Sequence, residues 1–243
     1  MKKHSAGFGL IELMVALTLG LIILLGVSQI FVAAKNTYLS QNAAAAMQED
    51  ARYVLSKMVQ EIRMTGMFSY VVPTPDSTAL DFTLASTTPF NYVATTVGTV
   101  TTGVMTLLTA DVGGNGSAPT WTILTDPTLN TATVTAGAKT TAGLISMPIR
   151  RVIYTYDSTN QRLLTTIAGV QSVLISNVSA MSILFGISGG SGAITSYTST
   201  PPATTAGLAN VLSVRISLTL SDPNNRVKPQ AFSVVAAIRN RLP

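Results

Sequence analysis

The 243-residue sequence contains no cysteine and a single histidine, His4. Without thiols there is neither a disulfide framework nor a thiolate metal site. His4 lies in the extreme N-terminal stretch, and if that stretch is removed the mature chain has no histidine either. Ser-His-Asp, Cys-His and zinc-hydrolase chemistry would then each lack an essential member. Charge is also scarce: 10% of residues are charged, against about a quarter in ordinary soluble domains. No glutamate follows Glu61, and Asp76, Asp81, Asp126, Asp157 and Asp222 read as turn or strand-end residues. No spacing among them nominates a carboxylate pair for acid–base work. The run Asp-Val-Gly-Gly-Asn-Gly from Asp111 to Gly116 lacks the further oxygen ligands of a calcium loop and reads as a surface turn. The sequence is therefore expected to be no enzyme and to carry no cofactor or metal.

Clustered basic charge is missing as well. The formal charge of +5 and a pI near 9.6 would suit nucleic acid or anionic lipid. The basic residues are scattered, however, and Lys2 and Lys3 belong to the N-terminal stretch. Arg150-Arg151, Arg226/Lys228 and Arg239/Arg241 fall short of a basic stripe. Nucleic acid is not the partner that this pattern favours.

What is present is hydrophobicity, unevenly spread. Mean hydropathy is +0.43, and most of it comes from the N-terminal zone. Residues 1–7 form a short basic leader. From Phe8 to about Gly66 the chain reads as one long helix, about 58 residues and roughly 90 Å. Its first part, residues 8–34, holds an apolar run from Leu13 to Ala34 without a charge. At about 33 Å that run spans a bilayer. Lys2 and Lys3 orient the N-terminus inward. Gly20 and Gly26 are places where the helix is expected to bend or loosen.

The second part, residues 35–66, changes character. Met47, Ala51, Val54, Met58 and Ile62 recur at steps of three or four, the spacing of an amphipathic helix packed on a core. Glu49–Arg52 and Lys57–Glu61 are placed to pair along the surface, and Gly66 supplies a stop. Residues 67–243 are rich in Thr, Ser, Val and Gly and read as β-structure. Strands are expected at 79–84, 100–108, 120–124, 131–135, 173–175, 181–185, 211–220 and 232–239. A hairpin is expected from 151–156 to 161–167 around Asp157-Ser-Thr-Asn160, and a turn at Asp222-Pro-Asn-Asn225. Residues 186–207 are expected to be a mobile loop. Trp121 reads as core; Tyr197 is a weaker candidate for a binding patch.

The chemically informative feature is one carboxylate. Gly-Phe-Gly-Leu-Ile-Glu, Gly7 to Glu12, stands directly before the apolar run. An ionised glutamate deep in lipid costs about 2.5–3.5 kcal/mol or more, so Glu12 needs a partner. No basic residue follows it until Lys35. Cleavage after Gly7 would expose the α-amine of Phe8, and a partner from another subunit becomes attractive.

The basic leader, Gly7-Phe8, Glu12 and the uncharged run together resemble the signal of type IV prepilins and pseudopilins. The resemblance implies cutting by a membrane-embedded prepilin peptidase after Gly7, methylation of the Phe8 amine, and pairing of Glu12 with a neighbour's amine during assembly. Gln48-Glu49-Asp50-Ala51-Arg52, Glu61 to Gly66, Val214 to Leu218 and Ile238 to Leu242 resemble segments of PilW-type minor pilins. The similarity covers about residues 1–66 and 211–243; family members often carry cysteine after the Gly66 equivalent, and this chain does not.

The implied fold is α+β and pilin-like, a long N-terminal helix packed by its second half on an antiparallel β-sheet. The implied function is that of a minor pilin, incorporated into or priming a type IV pilus. Its implied partners are other major and minor pilins, the prepilin peptidase, the inner-membrane assembly platform, and lipid before assembly. The implied location is the inner membrane with the C-terminal domain periplasmic, then the pilus. Rivals are a minor pseudopilin of a type II secretion system and a membrane-anchored adhesin or DNA-capturing receptor. A secretory signal peptide ending at Val32-Ala33-Ala34 is disfavoured, because its apolar region would be about 7–15 residues and would not begin with a carboxylate. A plain signal anchor would need neither Gly7-Phe8 nor Glu12.

Overall fold

Helix α1 runs unbroken from Leu10 to Arg63, 54 residues or about 81 Å. The computed structural model describes residues 9–97, 100–110, 118–190, 192–202 and 204–238. Two halves of α1 meet different surroundings. From Leu10 to Val32 the large apolar side chains are exposed all round the helix, and the most apolar window has a mean hydropathy of 2.6 with nothing buried. Gly20 and Gly26 lie within continuous helix, so the expected loosening is not seen. The surrounding straight-chain and branched residues hold the backbone bonds regular through both positions.

Contact with the rest of the chain begins where Ser40 Oγ donates to the Arg226 carbonyl, at 3.2 Å. Beyond it Met47, Ala51, Val54, Met58 and Ile62 are all buried, as their spacing predicts, and Leu55 joins them. The helix ends at Met64. Gly66 takes φ +75°, a left-handed conformation that costs glycine little, and its N–H donates to the Leu108 carbonyl at 3.0 Å.

Twelve strands follow among the described residues, with two short helices. They are β1 (Thr74–Pro75), α2 (Phe82–Thr87), β2 (Phe90–Val97), β3 (Val100–Ala110), β4 (Trp121–Asp126), β5 (Thr131–Ala136), β6 (Ile145–Asp157), β7 (Arg162–Ile167), β8 (Val170–Ser176), β9 (Val178–Ser188), β10 (Ile194–Thr198), α3 (Thr205–Ala209), β11 (Val211–Leu220) and β12 (Gln230–Ala237). Where one sheet was expected there are two. The larger runs β1-β5-β4-β6-β3-β2, with β7 paired to β6 and β8 to β7; the smaller runs β10-β9-β11-β12. All pairings are antiparallel except the short β1–β5 contact. The α+β plan of a long helix on an antiparallel-rich β-domain is the one expected.

The main core is closed by three surfaces. These are the α1 stripe, one face of the larger sheet (Met105, Leu107, Val152, Tyr154) and one face of the smaller (Ile183, Phe185, Val214, Ile216). Phe90 of β2 and Phe185 of β9 meet edge to face, 5.5 Å between centroids, and tie the sheets together. The other face of the larger sheet is covered by α2, where Phe82 stacks edge-on against Trp121 at 5.5 Å. Trp121 is core, as expected.

Three local expectations fail. Residues 79–84 form a turn and the start of α2 rather than a strand: Ala79 and Phe82 are both buried, a step of three that suits a helix on the Trp121 cluster and not a pleat. Strand β2 was not expected at all, because its run Asn91-Tyr-Val-Ala-Thr-Thr carries no clear alternation. Residues 186–207 are no single loop; they contain the end of β9, all of β10 and the start of α3, which is capped by Thr204 Oγ1 accepting from the Gly207 N–H at 3.1 Å. Gly186 there answers a need for space. A Cβ on it would stand 2.3 Å from Ser213 Oγ and 3.2 Å from both Ile194 and Tyr197. The Asp111–Gly116 run lies outside the described residues.

Gly186→Ala is therefore expected to overpack this site and lower stability by about 1–3 kcal/mol. Adding Ser213→Ala removes the nearest clash and should restore part of the loss. Urea unfolding of the full chain in detergent, followed by Trp121 fluorescence, measures both; a double variant no more stable than the single one refutes the steric account.

Candidate functional site

The N-terminal end of α1 is built around Glu12. Its Oε2 accepts the Gly9 backbone N–H at 3.0 Å, satisfying a donor that the first helical turn leaves open. A carboxylate in that turn also faces the positive end of the helix dipole. The side chain is exposed and forms no ion pair among the described residues. Lys35, the next cation along the chain, is about 34 Å away along the helix. Gly7 and Phe8, the expected cleavage and methylation positions, lie outside the described residues. The cap uses one carboxylate oxygen and leaves Oε1 open to a partner. Sequence reading missed the Gly9 contact, although a glutamate three residues after the helix start is its usual signal.

The opposite end of α1 is fixed by a second carboxylate. Glu61 was expected on the surface and is buried instead. On the helical wheel it neighbours Met58 and Ile62, so it enters the core with them. There it accepts the Tyr154 hydroxyl hydrogen of β6 and the Lys57 ammonium at 3.0 Å. The Lys57–Glu61 pairing is thus as expected, but its setting is interior. No Glu49–Arg52 ion pair is found among the described residues. Burial, then the Glu61 charge, push the Tyr154 phenol well above its ordinary value, so it is a neutral donor to the carboxylate at physiological pH.

A third anchor lies at the β11–β12 turn. Asp222 receives Arg226 through two charge-assisted bonds, Nε to Oδ2 and Nη2 to Oδ1, each 2.9 Å. These hydrogen bonds hold the Asp222 carboxyl far below the usual carboxylate range. The same turn presents the carbonyl that Ser40 binds. The anchor therefore sets the level at which the helix joins the domain.

The remaining candidates are consumed internally. Arg151 lies 4.7 Å above the Trp121 ring and 3.5 Å from Asp81, and Arg150 is buried. Asp76, Asp126 and Asp157 accept nearby backbone N–H groups in turns. No group of residues suited to hold a metal ion occurs among the described residues. Tyr197 is half exposed and its hydroxyl lies 3.3 Å from Ser213 Oγ.

Tyr154→Phe removes the hydroxyl that satisfies buried Glu61 and is expected to cost about 1–3 kcal/mol of stability. Chemical denaturation of the full chain in detergent reads this directly. An unchanged midpoint would show that the bond does not hold the helix on the sheet.

Compared with known proteins, residues 2–28 match a family model described as the prokaryotic N-terminal methylation motif. No curated protein and no solved structure matches the chain. The matched segment contains Glu12, the first turns of α1 and most of the exposed apolar run. A methylation motif at the head of a long apolar helix, carrying an antiparallel-rich β-domain, supports a type IV pilin or pseudopilin, a structural protein anchored in a membrane.

Proposed function

We propose that this chain is a minor pilin, incorporated into or priming a type IV pilus after a prepilin peptidase removes residues 1–7. The observation that carries this reading is the asymmetry of α1. One face of its second half is buried by its own domain, while its first half offers apolar side chains around the whole circumference and covers none of them. A helix apolar on every side requires lipid or other helices around it.

In this reading residues 8–34 hold the subunit in the inner membrane, 35–66 join it to the domain, and 67–243 form the domain, periplasmic first and then on the pilus. Hydrolysis of the Gly7–Phe8 amide frees the Phe8 α-amine, which is then methylated. The apolar half-helix next leaves lipid for the filament core, where helices of other major and minor pilins replace the acyl chains, at an assembly platform in the inner membrane. Glu12 enters this step already oriented. Oε2 stays on the Gly9 N–H while Oε1 meets the amine of a neighbouring subunit, which sets vertical register. A minor pseudopilin of a type II secretion system would use the same motif and helix. Loss of surface filaments on deletion of the gene favours the pilus; loss of secretion favours the pseudopilus.

Mass spectrometry of the mature protein is expected to find a chain beginning at N-methylated Phe8. A chain retaining residues 1–7 in cells with active peptidase refutes the reading. Glu12→Ala and Glu12→Gln are both expected to insert in the membrane and yet to enter filaments poorly. Gln keeps an oxygen for the Gly9 N–H and loses only the charge. Normal incorporation of Glu12→Gln would show that capping, and not charge pairing, is what Glu12 contributes.

A further inference from the structure

The free edges of the two sheets are closed to different degrees. β1 is two residues long and contains Pro75. β8 and β10 meet their partners through register shifts, and β2 shares a groove with residues 199–202. β12, whose neighbour outside the sheet is α1, has neither the proline nor the register shift. It is eight residues, Gln-Ala-Phe-Ser-Val-Val-Ala-Ala, with no charge, proline or glycine. It stands last in its sheet and pairs with β11 in unbroken register. Natural edges of that length are usually blocked by a charge, a proline or a bulge, because an open row of N–H and C=O groups invites another strand.

Beside this edge runs the second half of α1. Arg52, Ser56, Val59 and Arg63 follow one another along the helix and, with Ser233 and Val234 of β12, line an open groove of ≈ 660 Å³. Val59 and Val234 give it a half-buried apolar floor. Arg52 and Arg63 are exposed at its two ends and form no ion pair among the described residues. Their Cα atoms are about 16 Å apart along the helix axis. In a strand, residues four apart lie on one face and about 14 Å from each other, a separation that two long guanidinium side chains can meet.

We propose that the β12 edge and the α1 stripe from Arg52 to Arg63 form a docking trough for an extended segment of another subunit. The segment adds as a strand beside β12 and turns two carboxylates, four positions apart, toward Arg52 and Arg63. Main-chain bonds to β12 supply affinity, and the paired charges select the sequence. This rests on the filament-subunit reading above. The occupant is a different protein from this chain, whose own acidic residues nowhere stand four apart: Asp76 and Asp81 are separated by five, Glu49 and Asp50 by one, and the others by more than ten.

The test uses the full chain in detergent and a labelled peptide, Thr-Glu-Thr-Val-Thr-Glu-Thr, whose two Glu and central Val share one face. The Glu peptide is expected to bind, and a version with both Glu replaced by Gln should bind at least about tenfold more weakly. Arg52→Ala/Arg63→Ala should show the same loss with Trp121 fluorescence unchanged. N-methylation of the peptide amides that face β12 should abolish binding. Absence of Glu-peptide binding, or equal binding of Glu and Gln peptides, overturns the proposal. Insensitivity to N-methylation overturns strand addition. Disulfide-linked homodimers of a Ser233→Cys variant would give the trough to a second copy, against the charge argument. The mature N-terminus of the unsubstituted chain is read in parallel. A start at Phe8 without peptide binding condemns the trough alone, whereas retention of residues 1–7 condemns the filament reading alone.

Discussion

The first half of α1 is a surface that the chain makes and cannot cover. From Leu10 to Val32 the large apolar side chains are all exposed, in a helix whose most apolar window has none of its residues buried. At about 25 cal/mol per Å² of apolar area, leaving such a surface in water would be far more costly than the few kcal/mol by which a domain is stable. The rest of the architecture follows from that constraint. The chain must sit in lipid or among like helices, and the domain must leave this half free. The hold on α1 must therefore be made on its second half.

That hold combines two kinds of interaction. The stripe from Met47 to Ile62 supplies non-directional burial, which fixes the helix face but leaves sliding along the axis weakly opposed. Directional bonds at the two ends of the stripe oppose it. Glu61 through Tyr154 pins the C-terminal end to β6, and Ser40 with the Arg226 carbonyl pins the other end to the β11–β12 turn. A buried carboxylate is a poor source of net stability. Its contribution here is position, since Glu61 can be satisfied at one register only.

Most of the helix was legible in the sequence because both of its signals are long. An uncharged run of 22 residues and a stripe at steps of three and four survive local noise, and β11 falls at its expected bounds, Val211–Leu220. The failures are short or depend on distant partners. Residues 79–84 have β-forming composition but fold onto Trp121, about 40 residues away in sequence. Glu61 looks like a surface residue until Tyr154 is brought to it by the sheet. Gly186 looks like flexibility and is close packing against Ser213. The division into two sheets was invisible for the same reason: strand alternation records which face is buried, and not against which sheet. At the candidate site, Glu12 was legible as an anomaly of charge, while its contact with Gly9 required the helix start to be placed within one residue.

In the filament-subunit reading, transfer of the first half of α1 from lipid into a bundle of helices has little hydrophobic drive, because acyl chains are as apolar as leucine. Packing and polar contacts must decide it, and Glu12 is the acidic group carried with the apolar run. Drawn into hydrocarbon without a partner, it would oppose assembly by about 2.5–3.5 kcal/mol or more. Beside an amine in a low-dielectric core the sign reverses, because a charge pair is worth several times more there than in water. In the filament-subunit reading proposed above, one residue would thus penalise wrong registers and favour the right one. Selectivity of this kind needs a single charge in an otherwise uncharged segment.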